Sequence, residues 1–329
     1  MIQMTQLQQR SKPSQSLRPS ALKCSLLGTG AAHASRVIPN RYFVDTLQLD
    51  TSEEWIEQKT GILERRHVDT ETLTDLCIQS AHEALAQSKL DPASLDLIIV
   101  ATSTSDNCMP STACMVQRAL GATNAAAFDL NAACSGFVHA LETASRWIAP
   151  APQNALIIGA DCGSQLTDPN DRLTAVFFGD AAGAAVLSST GSGRILSSYL
   201  RSSGNDEALK AKVGGKLNMN GRQVWDFATR VLPETVRELA AQAEVSVDDI
   251  ELIIPHQANL NILQSAAEEL QISMDRVMVN LDRFGNTIAA SIPLALDEAL
   301  RDGRVRNGDL VALVGYGAGL TWGGQLWQI

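Results

Sequence analysis

Three side chains in this sequence have types and positions suited to nucleophilic catalysis: Cys134, His256 and Asn286. Cys134 lies between an apolar segment that ends at Leu130 and a helical pattern that runs to about Ile148. Free backbone N–H groups and the positive end of the helix dipole at such a junction favour thiolate over thiol. The pattern therefore predicts a cysteine nucleophile, although a cysteine that only fills a helix–sheet contact would suit the local sequence as well.

His256 and Asn286 each follow a predicted strand and precede a helical pattern. A histidine after a strand is often satisfied by local hydrogen bonds, and Gly-Asn is common in turns. The glycine-rich segment 315–320 adds a loop whose backbone N–H groups could face a ligand, or which serves only as a tight turn. Because ligands bind beyond the carboxyl ends of parallel strands, we expect these residues to meet Cys134 at one site.

The elements that must position these residues occur twice in the chain. A helical pattern followed by an Ile-Ile strand ends at Val100 in the first half and at Pro255 in the second. Three further pairs of segments correspond: 127–130 with 278–281, 155–159 with 311–315, and the closing antiparallel segments 183–188 with 320–327. Such alternation indicates mostly parallel sheets covered on both faces. We predict an α/β protein with two similar βαβ-rich halves, residues 23–195 with the nucleophile and 196–329 with the His and Asn.

The composition restricts the class of protein. With 329 residues and 45% hydrophobic content, the chain has enough apolar material for about two domains of core. A net charge of -10 argues against nucleic acid as a partner, because phosphate neutralisation needs a basic face. No segment has the apolar length of a membrane span or a secretory signal, so we expect a cytoplasmic protein without membrane association.

The cysteines and the N-terminal segment give two further expectations. The six cysteines form no C-x-x-C pair and no cluster with histidine, which predicts neither a metal site nor a disulfide framework. Residues 1–22 are rich in Gln, Ser and Pro, and no acidic residue precedes Asp45. We interpret this segment as a disordered tail. A short transit peptide shares this composition, but no clear amphipathic helix is present.

Five groups of motifs together resemble β-ketoacyl-acyl-carrier-protein synthase III of the thiolase superfamily, in family order from about Cys24 to the C-terminus. They are 50–56 with 60–62, Ala132-Ala-Cys-Ser-Gly136, 178–184, Pro255-His-Gln-Ala-Asn259, and 285–287 with 296–298. The resemblance implies a thiolase-like fold and a homodimer of five-layered αβαβα subunits. It also implies condensation of an acyl-CoA primer with malonyl carried on acyl carrier protein, without a metal or redox cofactor.

The resemblance assigns roles to the matched residues. Cys134 would accept the acyl group, while its own backbone N–H and that of Ala318 hold the oxyanion. His256 and Asn286 would donate hydrogen bonds to the malonyl thioester carbonyl and stabilise the enolate formed as CO₂ departs. These roles need a neutral histidine that donates a hydrogen bond.

The same resemblance implies a channel for CoA and the acyl group. Its side chains would be Thr51, Trp55, Met109, Arg172, Phe178 and Trp225. Trp55 and Arg172 would sandwich the CoA adenine, and Met109 would reach across the dimer to the partner's acyl pocket. Without the resemblance, Trp55 reads as a buried helix aromatic and Arg172 as a solvated charge.

The sequence departs from the family where the carrier protein is expected to dock. The stretch after His256, residues 257–275, contains no Lys or Arg and has Asn261, Glu268 and Glu269 instead. Asp226 is also acidic where the family tends to be basic. The one clearly positive stretch is 201–230, with six basic and three acidic residues. We therefore expect acyl carrier protein to be the acceptor with an atypical docking surface. A synthase III-like enzyme of specialised metabolism, with another donor or acceptor or simple acyl transfer, is the alternative.

Two other classes of protein share part of this pattern. A papain-like protease also uses Cys, His and Asn, but its nucleophile lies in a Cys-Gly-Ser/Ala context near the mature N-terminus, which Cys134 lacks. A non-catalytic acyl-CoA-binding protein would keep the pockets without needing all three polar side chains.

Overall fold

The computed structural model describes residues 21–329, and the predicted tail outside this range, residues 1–20, is not part of it. The strands in this part of the chain are β1 (Leu22–Lys23), β2 (Ser25–His33), β3 (Arg36–Pro39), β4 (Glu64–His67), β5 (Leu97–Ala101), β6 (Ala126–Leu130), β7 (Asn154–Cys162), β8 (Asp180–Ser188), β9 (Arg194–Asn205), β10 (Leu209–Ala211), β11 (Leu217–Met219), β12 (Leu252–Pro255), β13 (Leu310–Gly317) and β14 (Gly319–Gln328). The α-helices are α1 (Glu53–Thr60), α2 (Leu73–Ser88), α3 (Thr112–Leu120), α4 (Gly136–Ile148), α5 (Gly221–Ala243), α6 (Leu260–Leu270), α7 (Leu281–Phe284) and α8 (Ser291–Arg301).

Two five-stranded sheets form the framework. The first has the strand order β2-β8-β7-β5-β6, and the second has the order β1-β9-β14-β13-β12. Parallel pairing is confined to β5 with β6 and β7, and to β12 with β13. The remaining pairs in both sheets are antiparallel.

Apolar side chains divide the molecule into five layers. Helices α2 and α3 cover the outer face of the first sheet, and α5 and α6 cover the outer face of the second. Helices α4 and α8 lie between the sheets, where Phe137, Leu141, Ile292 and Leu296 pack against strands of both. This is the αβαβα arrangement that the sequence predicted. Since both sheet faces are buried, the strands read as continuous apolar runs.

Two expectations about the strands are wrong. The sheets are mixed rather than mostly parallel, because the closing strands β8 and β14 each lie inside their sheet with an antiparallel neighbour on both sides. The segment 278–281 is not a strand. A single bridge joins Ile253 to Val277 just before this segment, and the chain then turns into α7. Gln257 binds the backbone N–H groups of Asn280 and Leu281 there, which takes them out of any ladder.

Near the predicted boundaries of the two halves, the strands and helices begin at other residues than expected. β9 begins at Arg194, so the predicted boundary after residue 195 falls inside a strand. Leu22 lies in β1 and pairs with β9 of the second sheet. Helix α5 begins at Gly221 and continues through Pro233 to Ala243.

The two central helices begin without side-chain caps. A short 3₁₀ turn, Ala133–Ser135, leads into α4, and another, Ile288–Ala290, leads into α8. Neither helix has a capping side chain at its N-terminus. The first backbone N–H of each helix instead donates to a carbonyl of its own 3₁₀ turn, Gly136 to Ala133 and Ser291 to Ile288.

None of the helices in residues 21–329 combines the length and the apolar character needed to cross a bilayer.

At Gly159 on β7, the first sheet lies in close contact with the turn before α8. A Cβ atom at this position would collide with the carbonyl oxygen of Ala289. We predict that Gly159→Ala lowers the free energy of unfolding by about 1–3 kcal/mol, as overpacking typically does. Gly204→Ala is the control, because a Cβ there meets no atom within 4 Å. Urea denaturation of both variants measures the difference, and equal stabilities would contradict the packing described.

Candidate active site

Cys134 occupies the turn between β6 and α4. The preceding residue, Ala133, has a φ of 47°, which is rare for a residue with a side chain. This turn directs the cysteine into the junction between the halves, where its side chain is only 7% exposed. Its neighbours there are Phe178 and Ile288.

The end of β13 lies directly against this turn. A Cβ atom at Gly317 would lie 2.7 Å from the Cβ of Cys134, and one at Gly315 would lie 2.9 Å from the Cα of Ser135. Glycine at both positions is therefore required for the approach. The approach brings the backbone N–H of Ala318 to the Cys134 sulfur, which the N–H of Cys134 itself also faces.

The thiol of Cys134 is not ionised by this environment. Burial raises its pKa to about 12, and the negative charge of Asp161 raises it as well, whereas the N–H groups of Cys134 and Ala318 lower it. The expectation that the helix terminus would favour thiolate is therefore wrong for the free protein. Removal of the sulfur from water outweighs two favourable backbone N–H groups.

His256 follows β12 and is 1% exposed. Its backbone N–H donates to Val314 on β13 at 2.7 Å, which fixes the start of the loop. The imidazole Nδ1 lies 3.1 Å from the Ser291 hydroxyl, and the ring packs edge-on against Tyr316 with 5.1 Å between centroids. Burial lowers the pKa of His256 to about 3, so the imidazole is neutral at physiological pH.

Asn286 lies after α7 rather than directly after a strand. Its backbone N–H donates to Phe177 at 2.8 Å, and its carbonyl accepts from Gly179 at 3.0 Å, which forms a parallel bridge beside Phe178. The side-chain Oδ1 accepts the N–H of Ile288 at 2.9 Å. Because this bond uses the amide oxygen, the side-chain NH₂ is the group left to act as a donor.

Ile288 links the three predicted polar residues. Its side chain packs with Cys134 and Phe178, its N–H binds Asn286, and its backbone also forms a hydrogen bond with His256. Its φ of 53° is exceptional for a β-branched residue. The structure thus brings the surroundings of Cys134, His256 and Asn286 to one buried junction, as the duplication predicted.

The predicted adenine-binding pair lies on the surface of the first half. The Arg172 guanidinium lies 5.5 Å from the centre of the Trp55 ring, and it also donates to the backbone carbonyl of Asp50. The neighbouring Thr51 hydroxyl is buried without a hydrogen-bond partner among the described residues. A polar ligand atom would satisfy this hydroxyl.

The other channel residues differ in position. Trp225 is 39% exposed near the start of α5, whereas Phe178 packs against Cys134. The hairpin of β10 and β11 reaches the same cluster through Leu217. Met109 is 80% exposed, so the single chain does not bury it near Cys134.

The predicted docking helix, α6, carries its acidic residues on the surface. Glu268 and Glu269 are both exposed, and Glu269 is paired with Arg237 of α5 at 2.7 Å. Asn261 donates to the backbone carbonyls of Gln58 and Lys59 at the end of α1. Pairing with Arg237 makes this face less negative than the sequence of α6 alone indicates.

One charged residue of the junction, Asp161, was not predicted from the sequence. This side chain is fully buried at the end of β7, two residues after the strand segment that the duplication identified. A polar residue at the carboxyl end of a central strand is the signal that could have found it. Within residues 21–329, no group of three or more His, Cys, Asp or Glu side chains is arranged to hold a metal ion.

Comparison with protein families gives two matches on this chain. Residues 128–204 match the model described as 3-oxoacyl-[acyl-carrier-protein (ACP)] synthase III, and residues 240–329 match the model of its C-terminal region. The first match includes Cys134, and the second includes His256 and Asn286.

Known proteins match nearly the whole chain. The β-ketoacyl-[acyl-carrier-protein] synthase III of Clostridioides difficile is 42% identical, over 92% of this chain and 98% of that protein. The crystal structure of 3-oxoacyl-[acyl-carrier-protein] synthase III from Aquifex aeolicus is 42% identical, with a TM-score of 0.90 over 93% of this chain and 100% of that one. A priming β-ketosynthase from the R1128 polyketide pathway is 32% identical, with a TM-score of 0.87 over 94% of this chain and 98% of that one. On this similarity, which confirms the thiolase-like fold class, the chain belongs to the 3-oxoacyl-[acyl-carrier-protein] synthase III family.

Proposed function

We propose that this protein is an acyltransferase that condenses an acyl-CoA primer with malonyl-acyl carrier protein, the initiating reaction of fatty acid synthesis. The observation that carries the proposal is the convergence of two backbone N–H groups, from Cys134 and Ala318, on one buried sulfur. Such a pair is suited to an oxyanion rather than to a resting thiol.

In the first half-reaction, the Cys134 sulfur attacks the thioester carbonyl of the primer. The two N–H groups stabilise the tetrahedral oxyanion, the bond to the CoA sulfur breaks, and the proton from Cys134 ends on the CoA thiol. Because the free thiol has a raised pKa, loss of this proton is part of the acylation step and does not precede it. An acyl-Cys134 thioester remains.

In the second half-reaction, His256 and the NH₂ of Asn286 donate hydrogen bonds to the malonyl thioester carbonyl. The C–C bond to the carboxylate breaks and CO₂ leaves, while the two donors hold the enolate oxygen. The enolate carbon then attacks the acyl carbon, and Cys134 is released as the leaving group. Neutral His256 suits this step, since a donor is needed and no strong base is required.

The substrate channel belongs to the same proposal. Trp55 and Arg172 would hold the CoA adenine, Thr51 and Trp225 would line the path of the pantetheine, and Phe178 would border the acyl group. No resident metal or redox cofactor has a role in this reaction scheme, and acyl-CoA and malonyl thioester are substrates.

The assembly and location are further parts of the proposal. Strand β6 is one of the two edge strands of the first sheet, and its Phe128 packs against the half-exposed ring of Trp147 at 6.3 Å between centroids. An unpaired edge next to exposed apolar rings suits pairing with a second copy, and Met109 would then enter the partner's acyl pocket. All six cysteines are free, which suits the reducing cytoplasm.

For the acceptor of the acyl group, an alternative to acyl carrier protein also has support. The exposed Glu268 and the absence of Lys and Arg from α6 suit a relative in specialised metabolism, with a different acceptor, better than a generic carrier protein. The extent of the match to fatty acid initiation enzymes nevertheless favours the main proposal.

The two half-reactions can be separated by substitution. His256→Ala and Asn286→Ala should still form the acyl-enzyme but lose malonyl decarboxylation by about a hundredfold or more, the usual loss for one oxyanion donor. Cys134→Ala should lose the acyl-enzyme altogether. Intact mass measures acylation, and release of ¹⁴CO₂ measures decarboxylation. Full malonyl turnover in both donor variants would refute the assignment, and failed acylation would make His256 the activating partner of the thiol.

The neutral state of His256 should appear as a pH dependence of stability. Burial lowers its pKa from 6.5 to about 3, so below pH 6.5 the unfolded chain takes up a proton that the folded protein does not. The stability associated with neutral His256 is therefore present above pH 6.5 and lost as the pH falls towards 3. As the pH falls through this range, the free energy of unfolding should therefore decrease more steeply in the wild type than in His256→Gln. We expect the two slopes to differ by about 1.4 kcal/mol per pH unit.

Urea denaturation between pH 4.5 and 8 provides this measurement. His82→Gln, which changes an exposed histidine on α2, is the control and should follow the wild type. If the free energy of unfolding of His256→Gln had the same pH slope as that of the wild type, His256 would be protonated in the folded protein.

The acidic face of α6 should give the binding of acyl carrier protein an unusual dependence on salt concentration. If acyl carrier protein docks there, its apparent affinity should be flat or improve as salt shortens the Debye length from about 30 Å at 0.01 M to about 10 Å at 0.1 M. Glu268→Lys should then lower KM for malonyl carrier protein and leave primer acylation unchanged. This single change leaves the Arg237–Glu269 pair intact.

Asp302→Lys at the end of α8 is the control for net charge, because it makes the same change outside α6. Steady-state kinetics with malonyl carrier protein and malonyl-CoA across salt measures both effects. Tight wild-type binding that weakens steeply with salt would place the docking surface elsewhere, with the basic stretch 201–230 as the first candidate.

A further inference from the structure

Asp161 is a buried carboxylate for which the proposed reaction has no use. Its side chain is 0% exposed, and no Lys, Arg or His in the described part of the chain forms an ion pair with it. Burial raises its pKa to about 6, so the carboxylate is charged at neutral pH. A buried charge without a counter-ion is costly and is retained only where hydrogen bonds stabilise it.

The hydrogen bonds of Asp161 join the two halves of the molecule. Oδ1 accepts from the residues after β5: the backbone N–H of Ser103 at 2.8 Å and the hydroxyls of Thr104 at 2.9 Å and Thr102 at 3.4 Å. Oδ2 accepts the backbone N–H of Ala289 at 3.1 Å, which belongs to the second half. Oδ1 is therefore bound to the segment after β5 in the first sheet, and Oδ2 is bound to the turn before α8.

That turn is the one whose conformation decides where Asn286 points. Ile288 has a positive φ, a strained conformation for a β-branched residue that persists only when neighbouring contacts hold it. The contacts on its two sides are the bond from Ile288 N–H to Asn286 and the bond from Ala289 N–H to Asp161. Loss of the second bond would free the turn to relax and carry the Asn286 side chain with it.

Asp161 also acts on the nucleophile through its charge. It is the charged group that raises the pKa of Cys134. The other titratable groups that its charge affects are the buried thiols Cys77 and Cys162, which Asp106 also affects. The second buried carboxylate nearby, Asp180, acts on Cys162 and His67.

We propose that Asp161 is a positioning residue for the condensation, which fixes the strained turn that carries Asn286 against Cys134. This proposal rests on the proposed function of Asn286.

Asp161→Asn tests this role with one isosteric change. An asparagine cannot accept hydrogen bonds with both of its terminal atoms, so one side of the bridge is lost together with the charge. Alkylation of Cys134 by iodoacetamide should become faster between pH 7 and 10, by about tenfold for each unit by which the thiol pKa falls. Acylation by acyl-CoA should be equal or faster, whereas malonyl decarboxylation should fall by about tenfold or more.

Two further variants identify the cause. Asp161→Glu keeps the charge but moves it, so its alkylation profile should follow the wild type while decarboxylation falls. Asp180→Asn removes the other buried carboxylate and should leave the alkylation profile of Cys134 unchanged.

Opposite changes in the two half-reactions cannot arise from a loss of folded protein, which would lower both. Full decarboxylation in both Asp161 variants would overturn the proposal, whatever their alkylation rates. If the wild type decarboxylates no malonyl thioester, the proposed function fails, and the alkylation profiles still test the action of Asp161 on the thiol.

Discussion

The contact between the end of β13 and the Cys134 turn is the constraint on which the rest of this site depends. Backbone atoms approach so closely there that Gly315 and Gly317 have no room for a Cβ atom. This approach places the N–H of Ala318 at the sulfur, and it also fixes the distance between the two halves. The two halves contribute different parts of the site: one contributes Cys134, and the other contributes one of the two backbone N–H groups that face its sulfur.

Exclusion of water is the second physical feature of the site. It keeps the Cys134 thiol protonated and the His256 imidazole neutral, although the two groups respond in opposite directions. A dry junction also strengthens each hydrogen bond to a developing negative charge. The same property that makes the resting cysteine a poor thiolate therefore suits the junction to an oxyanion and an enolate.

The amino-acid sequence was most informative where the chain repeats itself. The duplication and the types of Cys134, His256 and Asn286 predicted that these residues would share a site at the junction of two α/β halves, and the five-layered fold class is confirmed. The strand directions were not predictable in the same way, because a buried antiparallel strand such as β8 is as uniformly apolar as a parallel one. The state of Cys134 was also misjudged, because the local sequence reveals a helix terminus but not the depth of burial. Asp161 was missed since its importance comes from a bond to Ala289, 128 residues away.

The most direct test of the account is the intact mass of the protein after exposure to a panel of acyl-CoA thioesters, followed by peptide mapping. We predict one acyl adduct per chain, on the peptide that contains Cys134, and transfer of that acyl group to a 3-oxoacyl product when malonyl thioester is added. An adduct on another residue, or a stable Cys134 adduct that malonyl thioester never removes, would contradict the assignment of this junction as a condensing active site.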